Sequence, residues 1–123
     1  MSNIKATIIT IGDELLIGQT IDTNSAWMAQ QLNKLGIDVY RRIAVADKEE
    51  DIQSALDEEM PRASILLLTG GLGPTSDDIT KPFLCKYFGG KMIVNEQVLN
   101  HVSGLFIKRN RPFLDINMKQ AEV

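Results

Sequence analysis

The stretch that most limits what this chain can fold into is Ile65-Leu66-Leu67-Leu68, which runs directly into Thr69-Gly70-Gly71-Leu72-Gly73-Pro74-Thr75-Ser76-Asp77-Asp78-Ile79-Thr80. Consecutive apolar residues bounded by glycine read as a buried strand, and this run is the most uniformly apolar in the chain, which predicts a place near the centre of a sheet covered on both sides. Three glycines in four positions then let the backbone take positive φ and approach a ligand closely, with N–H groups that can form an anion-binding nest. A strand-to-helix turn can use glycine for its geometry alone. The aspartates that follow favour the ligand reading, because donors for phosphate oxygens beside carboxylates for a divalent ion suit polyphosphate or pyrophosphate chemistry.

The rest of the chain supplies the other elements of such a sheet. Ala6 to Ile11 is a short, β-branched apolar run ended by Gly12, so a buried first strand is predicted, with Gly12-Asp13-Glu14 as its loop. Asp22-Thr23-Asn24-Ser25 carries capping residues, and Ala26, Trp27, Ala29, Leu32 and Leu35 follow at near-helical spacing up to Gly36. Ile37, Val39, Ile43 and Val45 mostly alternate with polar residues, as in a less buried strand ending at Asp47. Lys48 to Met60 has Ile52, Ala55, Leu56 and Met60 on one face and is stopped by Pro61. A third helix is expected to start at Thr80 to Pro82, since proline is tolerated in a first turn, and to end at Gly89-Gly90. A short strand over 91–94 and a fourth helix capped by Asn95 complete the pattern, and the signal fades beyond Asn110.

Strand and helix alternating three times is the signature of right-handed βαβ units on a parallel sheet. Ligands bind such sheets beyond the carboxyl ends of the strands, which gathers Gly12-Asp13-Glu14, Asp47 and the loop from Thr69 to Thr80 along one edge. At 123 residues, 44% hydrophobic and 24% charged, the chain fits a single domain over 1–123. A net charge of −3 argues against general nucleic-acid binding while leaving room for a local basic patch. No segment has the pattern of a signal peptide or a bilayer span, so a cytoplasmic location and no membrane partner are expected. The single cysteine, Cys85, reads as a buried structural thiol.

Other chemistries lack their residues. A G-x-G-x-x-G turn after the first strand is missing, with only Gly12 and Gly18 in that region, and Gly73 is followed by Pro74-Thr75-Ser76 where a triphosphate P-loop needs lysine and a hydroxyl. No serine sits in a nucleophile elbow, no Cys/His cluster has zinc spacing, and His101 reads as a surface residue. Metal-assisted attack by water or a phosphate oxygen is what the carboxylates could support. Each also has an ordinary structural explanation. Asp77 and Asp78 could face a helix N-terminus or join Thr75 in a capping box, though Pro82 shifts the helix start past both; Asp47 could be an N-cap; Asp13 and Glu14 could be turn residues. Asp22, Thr23 and Asn24 could cap the first helix or present its N-terminus to an anion.

Gly12-Asp13-Glu14-Leu15-Leu16-x-Gly18, Asp22-Thr23-Asn24, the motif from Thr69 to Thr80 and Asn117-x-Lys119-Gln120-Ala121 together resemble the N-terminal domain of the CinA competence/damage-inducible family, essentially end to end. That family lies in the molybdopterin-binding superfamily with the MogA and MoaB type proteins, so the resemblance implies a three-layer α/β/α fold with a mainly parallel sheet. It also implies a metal-dependent nucleotide pyrophosphatase that splits ADP-ribose to AMP and ribose 5-phosphate, with a divalent metal such as Mg2+; the alternative is a non-catalytic module that binds a nucleotide or pterin within a larger chain. Carried onto these residues, Asp78 and Asp47 would be catalytic and, with Asp77, metal-binding, while Gly12, Asp13, Glu14, Asp22, Thr23, Asn24, Thr69, Gly70, Gly71, Gly73, Pro74 and Thr75 would bind substrate. The resemblance leaves a homo-oligomer open.

The chain departs from the family's Val-Gly-Asp at Val45-Ala46-Asp47, keeping the aspartate. It also stops at Val123, where family members continue into Gly-Thr-Ala-Pro-Gly and Leu-Pro-Gly-x-Pro segments and often into a deamidase domain. An incomplete domain with reduced or no activity on its own, and no nicotinamide-mononucleotide deamidation, are the expectations that follow.

Overall fold

The computed structural model describes residues 4–73 and 78–123. Two compact units divide the chain, Met1–Gly71 and Leu72–Val123.

The first unit is built on strand β1 (Lys5–Ile11), flanked by β2 (Asp38–Val45) and β3 (Ile65–Thr69), and both pairings are parallel. The order β2-β1-β3 overturns the expectation that the most apolar strand is central. Every residue of β3 is only half-buried, whereas β1 is buried from Ala6 through Ile11. The reason is chemical: β1 carries two threonines, but Thr7 Oγ1 donates to Glu59 Oε2 at 3.0 Å and Thr10 Oγ1 to Asp22 Oδ2 at 2.9 Å, so burying these hydroxyls strands no polar atom. A continuous apolar run says that a strand can be buried; pairing on both edges decides which one is.

Parallel neighbours need crossovers, and two helices make them: α2 (Thr23–Lys34) leads from β1 to β2, and α3 (Glu49–Glu59) from β2 to β3. Ahead of α2, the residues expected as a simple loop after β1 form a one-turn helix, α1 (Asp13–Leu16). Asp22 caps α2, accepting from the Ser25 N–H at 3.1 Å. α3 buries Ile52, Ala55 and Leu56 of the face predicted from their spacing, while Met60, expected with them, is 47% exposed; Glu59 is buried as well. The N-cap position of α3 falls on Lys48, one residue past Asp47.

Glu59 is the unexpected core residue, with no exposed surface. Its carboxylate accepts from Thr7, from the Tyr40 hydroxyl and from Arg41 Nη1. The register between β1 and β2 slips between Ala6, paired with Val39, and Thr7, paired with Arg41, so Tyr40 is the additional residue of a bulge. Burial pushes the Glu59 carboxyl upward, but the hydrogen bonds from Tyr40 and Thr7 and the charge of Arg41 outweigh it and hold the group below its ordinary value.

In the second unit, α4 (Thr80–Tyr87) starts at the predicted residue, with Pro82 inside its first turn and Asp78 before it. The expected strand over 91–94 is reduced to one antiparallel bridge, Val94 with Glu122. Asn95 caps α5 (Glu96–Lys108) by accepting from the Val98 N–H at 3.0 Å, as predicted. Beyond Asn110, where the sequence pattern fades, a short helix α6 (Asp115–Met118) and a 3-10 turn over Lys119–Ala121 close the unit. Cys85, predicted to be buried, is half-buried. His101 is exposed, as expected of a surface histidine.

Candidate functional site

The carboxyl ends of β1 and β3 and the N-terminus of α2 surround a cavity of about 170 Å³. Six of the residues singled out in the sequence line it: Glu14, Asp22, Thr23, Asn24, Thr69 and Gly70. Thr10 and Thr20 line it too and were not foreseen. The signal for Thr10 was its place near the end of the first strand, one residue before the loop; it was masked by reading that strand only for apolarity.

Gly70 lets the third strand turn here. Its φ is +95°, and a Cβ at this position would run into the carbonyl oxygen of Ile11 on the neighbouring strand. Gly71 also takes positive φ, at 64°. Two successive left-handed residues are a conformation that side-chain-bearing residues resist, so the glycine pair is required by the backbone whatever the loop binds.

At the facing helix, Asp22 has several partners. It accepts from the Ser25 N–H, from the Ser25 hydroxyl and from Thr10. Ser25 is fully buried, and its Oγ in turn accepts from Arg42 Nη2 at 2.9 Å and Nε at 3.2 Å. Burial raises the Asp22 carboxyl, but its bonds from Ser25 and Thr10 and the charge of Arg42 prevail, and it stays ionised with its value below the ordinary one. The capping explanation of Asp22 is therefore realised, while the same residue forms part of the cavity wall. The exposed Thr23 and Asn24 follow it at the start of the helix, where backbone N–H groups and the helix dipole favour an anion.

A second pair of loops is joined as the strand-end rule predicts. The Asp13 carboxylate Oδ1 accepts from the Asp47 N–H at 3.1 Å, and the Gly12 N–H donates to the Val45 carbonyl at 3.0 Å. Gly12 is in extended backbone, and its missing side chain leaves room for the Glu14 carboxylate, which lies against its Cα. Asp47 is half-buried. Gly12, Asp13, Asp47 and Gly71 stand apart from the lining of the 170 Å³ cavity.

Gly73 and Asp78 belong to the second unit. There the Asp78 carboxylate folds against the Cα of Gly73, and a Cβ on Gly73 would collide with it. Pro74, Thr75 and Asp77 lie outside the described residues. Among the described residues no three His, Cys, Asp or Glu side chains gather as a metal-binding group. No helix among the described residues is long and apolar enough to cross a membrane.

Comparison with known proteins shows the family and the fold. Residues 7–115 match the family described as probable molybdopterin binding domain. A CinA-like protein of Cytophaga hutchinsonii is 50% identical over 120 residues, covering 98% of this chain and 29% of that protein, so the chain spans under a third of the length of this relative. The crystal structure of CinA from Thermoplasma acidophilum, a protein described as of unknown function, superposes with a TM-score of 0.80 at 30% identity, covering 99% of this chain and 72% of that one. The tungsten cofactor synthesizing protein MoaB of Pyrococcus furiosus superposes with a TM-score of 0.64 at 23% identity, covering 88% and 66%, and shares the three-layer α/β/α fold.

Proposed function

Because the chain belongs to the probable molybdopterin binding domain family, and within it is a CinA N-terminal domain, we propose that it is the nucleotide-handling part of a metal-dependent pyrophosphatase that hydrolyses ADP-ribose to AMP and ribose 5-phosphate. The observation that carries this reading is the cavity at the strand ends, where Glu14, Asp22, Thr23, Asn24, Thr69 and Gly70 come together from three separate stretches of sequence. In this proposal the α2 N-terminus and the backbone of the Gly70-Gly71 turn bind phosphate oxygens. Asp22 keeps Thr10 and the start of α2 in place while remaining an anion, which orients a ligand hydroxyl rather than a phosphate. Asp47 and Asp78 are the proposed catalytic carboxylates. A divalent metal held by Asp47, Asp77 and Asp78 would offset phosphoanhydride charge.

The test is AMP release from ADP-ribose by the full-length protein with Mg2+, alongside Asp47→Ala and Asp78→Ala. The expected result is turnover that falls at least about 100-fold in each variant, the scale of losing a positioned acid or base. Turnover unchanged in a variant removes that residue from the mechanism. A second reading, a module that binds a pterin or nucleotide without cleaving it, is compatible with the same cavity and family match. No AMP release, together with thermal protection by a pterin or mononucleotide, would select it.

A further inference from the structure

A second cavity, of about 270 Å³, lies wholly within the unit formed by Leu72–Val123. We propose that it is a binding site for a phosphate monoester carried on a compact aromatic or heteroaromatic body, held by Arg109 and Arg111 against Phe106. Its walls divide by chemistry. Val102, Leu105 and Phe106 supply an apolar side from successive turns of α5, and Arg109, Arg111 and Gln120 supply the polar side.

The two arginines reach one cavity because the helix ends in a defined way. Asn110 takes φ 53°, the left-handed conformation that asparagine tolerates best after glycine. The Asn110 N–H then donates to the Ile107 carbonyl at 3.0 Å and the Arg111 N–H to the Phe106 carbonyl at 2.9 Å, the paired bonds of a Schellman end. This reversal fixes the backbone on either side of residue 110. It also places N–H donors on the last carbonyls, which blunts the negative end of the helix dipole where an anion would sit.

Charge favours an anion further. Four of the chain's 13 basic residues, Lys108, Arg109, Arg111 and Lys119, fall within twelve positions that contain one acid, Asp115, although the whole chain is acidic. Lys108 alone would complement the helix dipole. Among the described residues neither guanidinium of the cavity forms an ion pair. Gln120 accepts from Asn117 Nδ2 at 3.5 Å, so its NH2 remains as a donor. Phe113 packs edge-on against Phe106 with ring centroids 5.6 Å apart, backing the ring that would meet the ligand. Two guanidinium forks suit a phosphate dianion better than a carboxylate, which one fork satisfies. The volume, about 270 Å³, has room for one ring system and its phosphate.

The experiment is titration of the full chain with phenyl phosphate, followed by amide chemical shifts in the wild type and by calorimetry in Arg109→Gln, Arg111→Gln and the double variant. The expected result is saturable binding with shifts confined to residues 102–111 and 120. Each single variant should bind about tenfold more weakly, as for loss of a charged hydrogen bond, and the double variant should not bind measurably. The proposal is overturned if phenyl phosphate shows no saturation, if the shifts fall elsewhere, or if both single variants bind like the wild type. Inorganic phosphate binding as tightly as phenyl phosphate would remove the aromatic part of the assignment, and benzoate doing so would remove the choice of phosphate. The wild-type shift map decides the matter even if a variant folds poorly, and it is independent of whether ADP-ribose is cleaved.

Discussion

In the unit Met1–Gly71 the central strand and its neighbours enclose polar side chains, whereas in the unit Leu72–Val123 the amphipathic helix α5 buries none of its own residues. Thr7, Thr10, Ser25 and Glu59 are all buried in the first, each with hydrogen-bond partners in hand. In the second, α5 has the most regular apolar stripe of any helix yet contains no buried residue, and Ile107 is 79% exposed. The contrast shows that burial follows partners rather than polarity. A central strand meets neighbours on both edges and both faces, so even a threonine placed there is enclosed, and the fold supplies Glu59 or Asp22 to satisfy it. An amphipathic helix announces that one face can be covered, and its own sequence does not provide the cover.

Substitutions at four positions would break or sharpen this contrast. The largest loss is expected from Ile8→Ala in the middle of β1, where no side-chain surface is exposed. Deleting a buried aliphatic side chain costs about 2–5 kcal/mol, read as a lower urea midpoint. Glu59→Ala comes next, at about 2–4 kcal/mol, because it strands the buried Thr7 hydroxyl and undoes the network through Tyr40 and Arg41. A loss below that of an ordinary surface change would show the network to be incidental.

Glu59 also sets a pH dependence. Its folded value, like that of Asp22, lies below the ordinary carboxylate value. A lowered folded value means that the group stabilises the fold fully above its unfolded value, near pH 4–5, and that this contribution is lost as pH falls through the lowered value. Unfolding measured from pH 6 downward should therefore show declining stability below about pH 4.5, and Glu59→Gln with Asp22→Asn should flatten the slope.

Asp22→Ala is expected to cost about 1–2 kcal/mol through loss of the α2 cap and of the Thr10 bond, and Asp22→Asn should recover part of it. Smallest of all, Ile107→Lys should stay within about 0.5 kcal/mol of wild type, as for a surface site. If Ile107→Lys were as damaging as Asp22→Ala, the second unit would be covered at that face and the contrast would fail.

Much of the fold was legible because the signals are local. Asn95 and Asp22 cap the helices they precede in sequence, Pro82 falls in the first turn of α4, and the spacing of Ile52, Ala55 and Leu56 names the buried face of α3. The weaker stretch over 91–94 yields only the Val94–Glu122 bridge. Its partner lies beyond the residue at which the pattern fades, and a strand without a visible partner has no register to read. In the candidate site, the strand-end rule gathered Glu14 with Thr69 and Gly70, and Asp13 with Asp47, while Asp22 to Asn24, singled out as helix-capping residues, line the same cavity. It missed Thr10 because a buried threonine announces itself only through its acceptor.

By itself, the sequence determined the alternation of strands and helices, their caps and stops, the glycine turn after the third strand and the membership of the family. These depend on residues within a few positions of one another, where dihedral preference and hydrophobic period act directly. Tertiary structure alone decided that β1 and not β3 is central, that Tyr40 bulges out of register to reach Glu59, and that a glutamate belongs in the core. Each of those requires groups tens of residues apart to meet, and the free energy of such a meeting, desolvation set against a completed set of hydrogen bonds, exists only once the chain has folded.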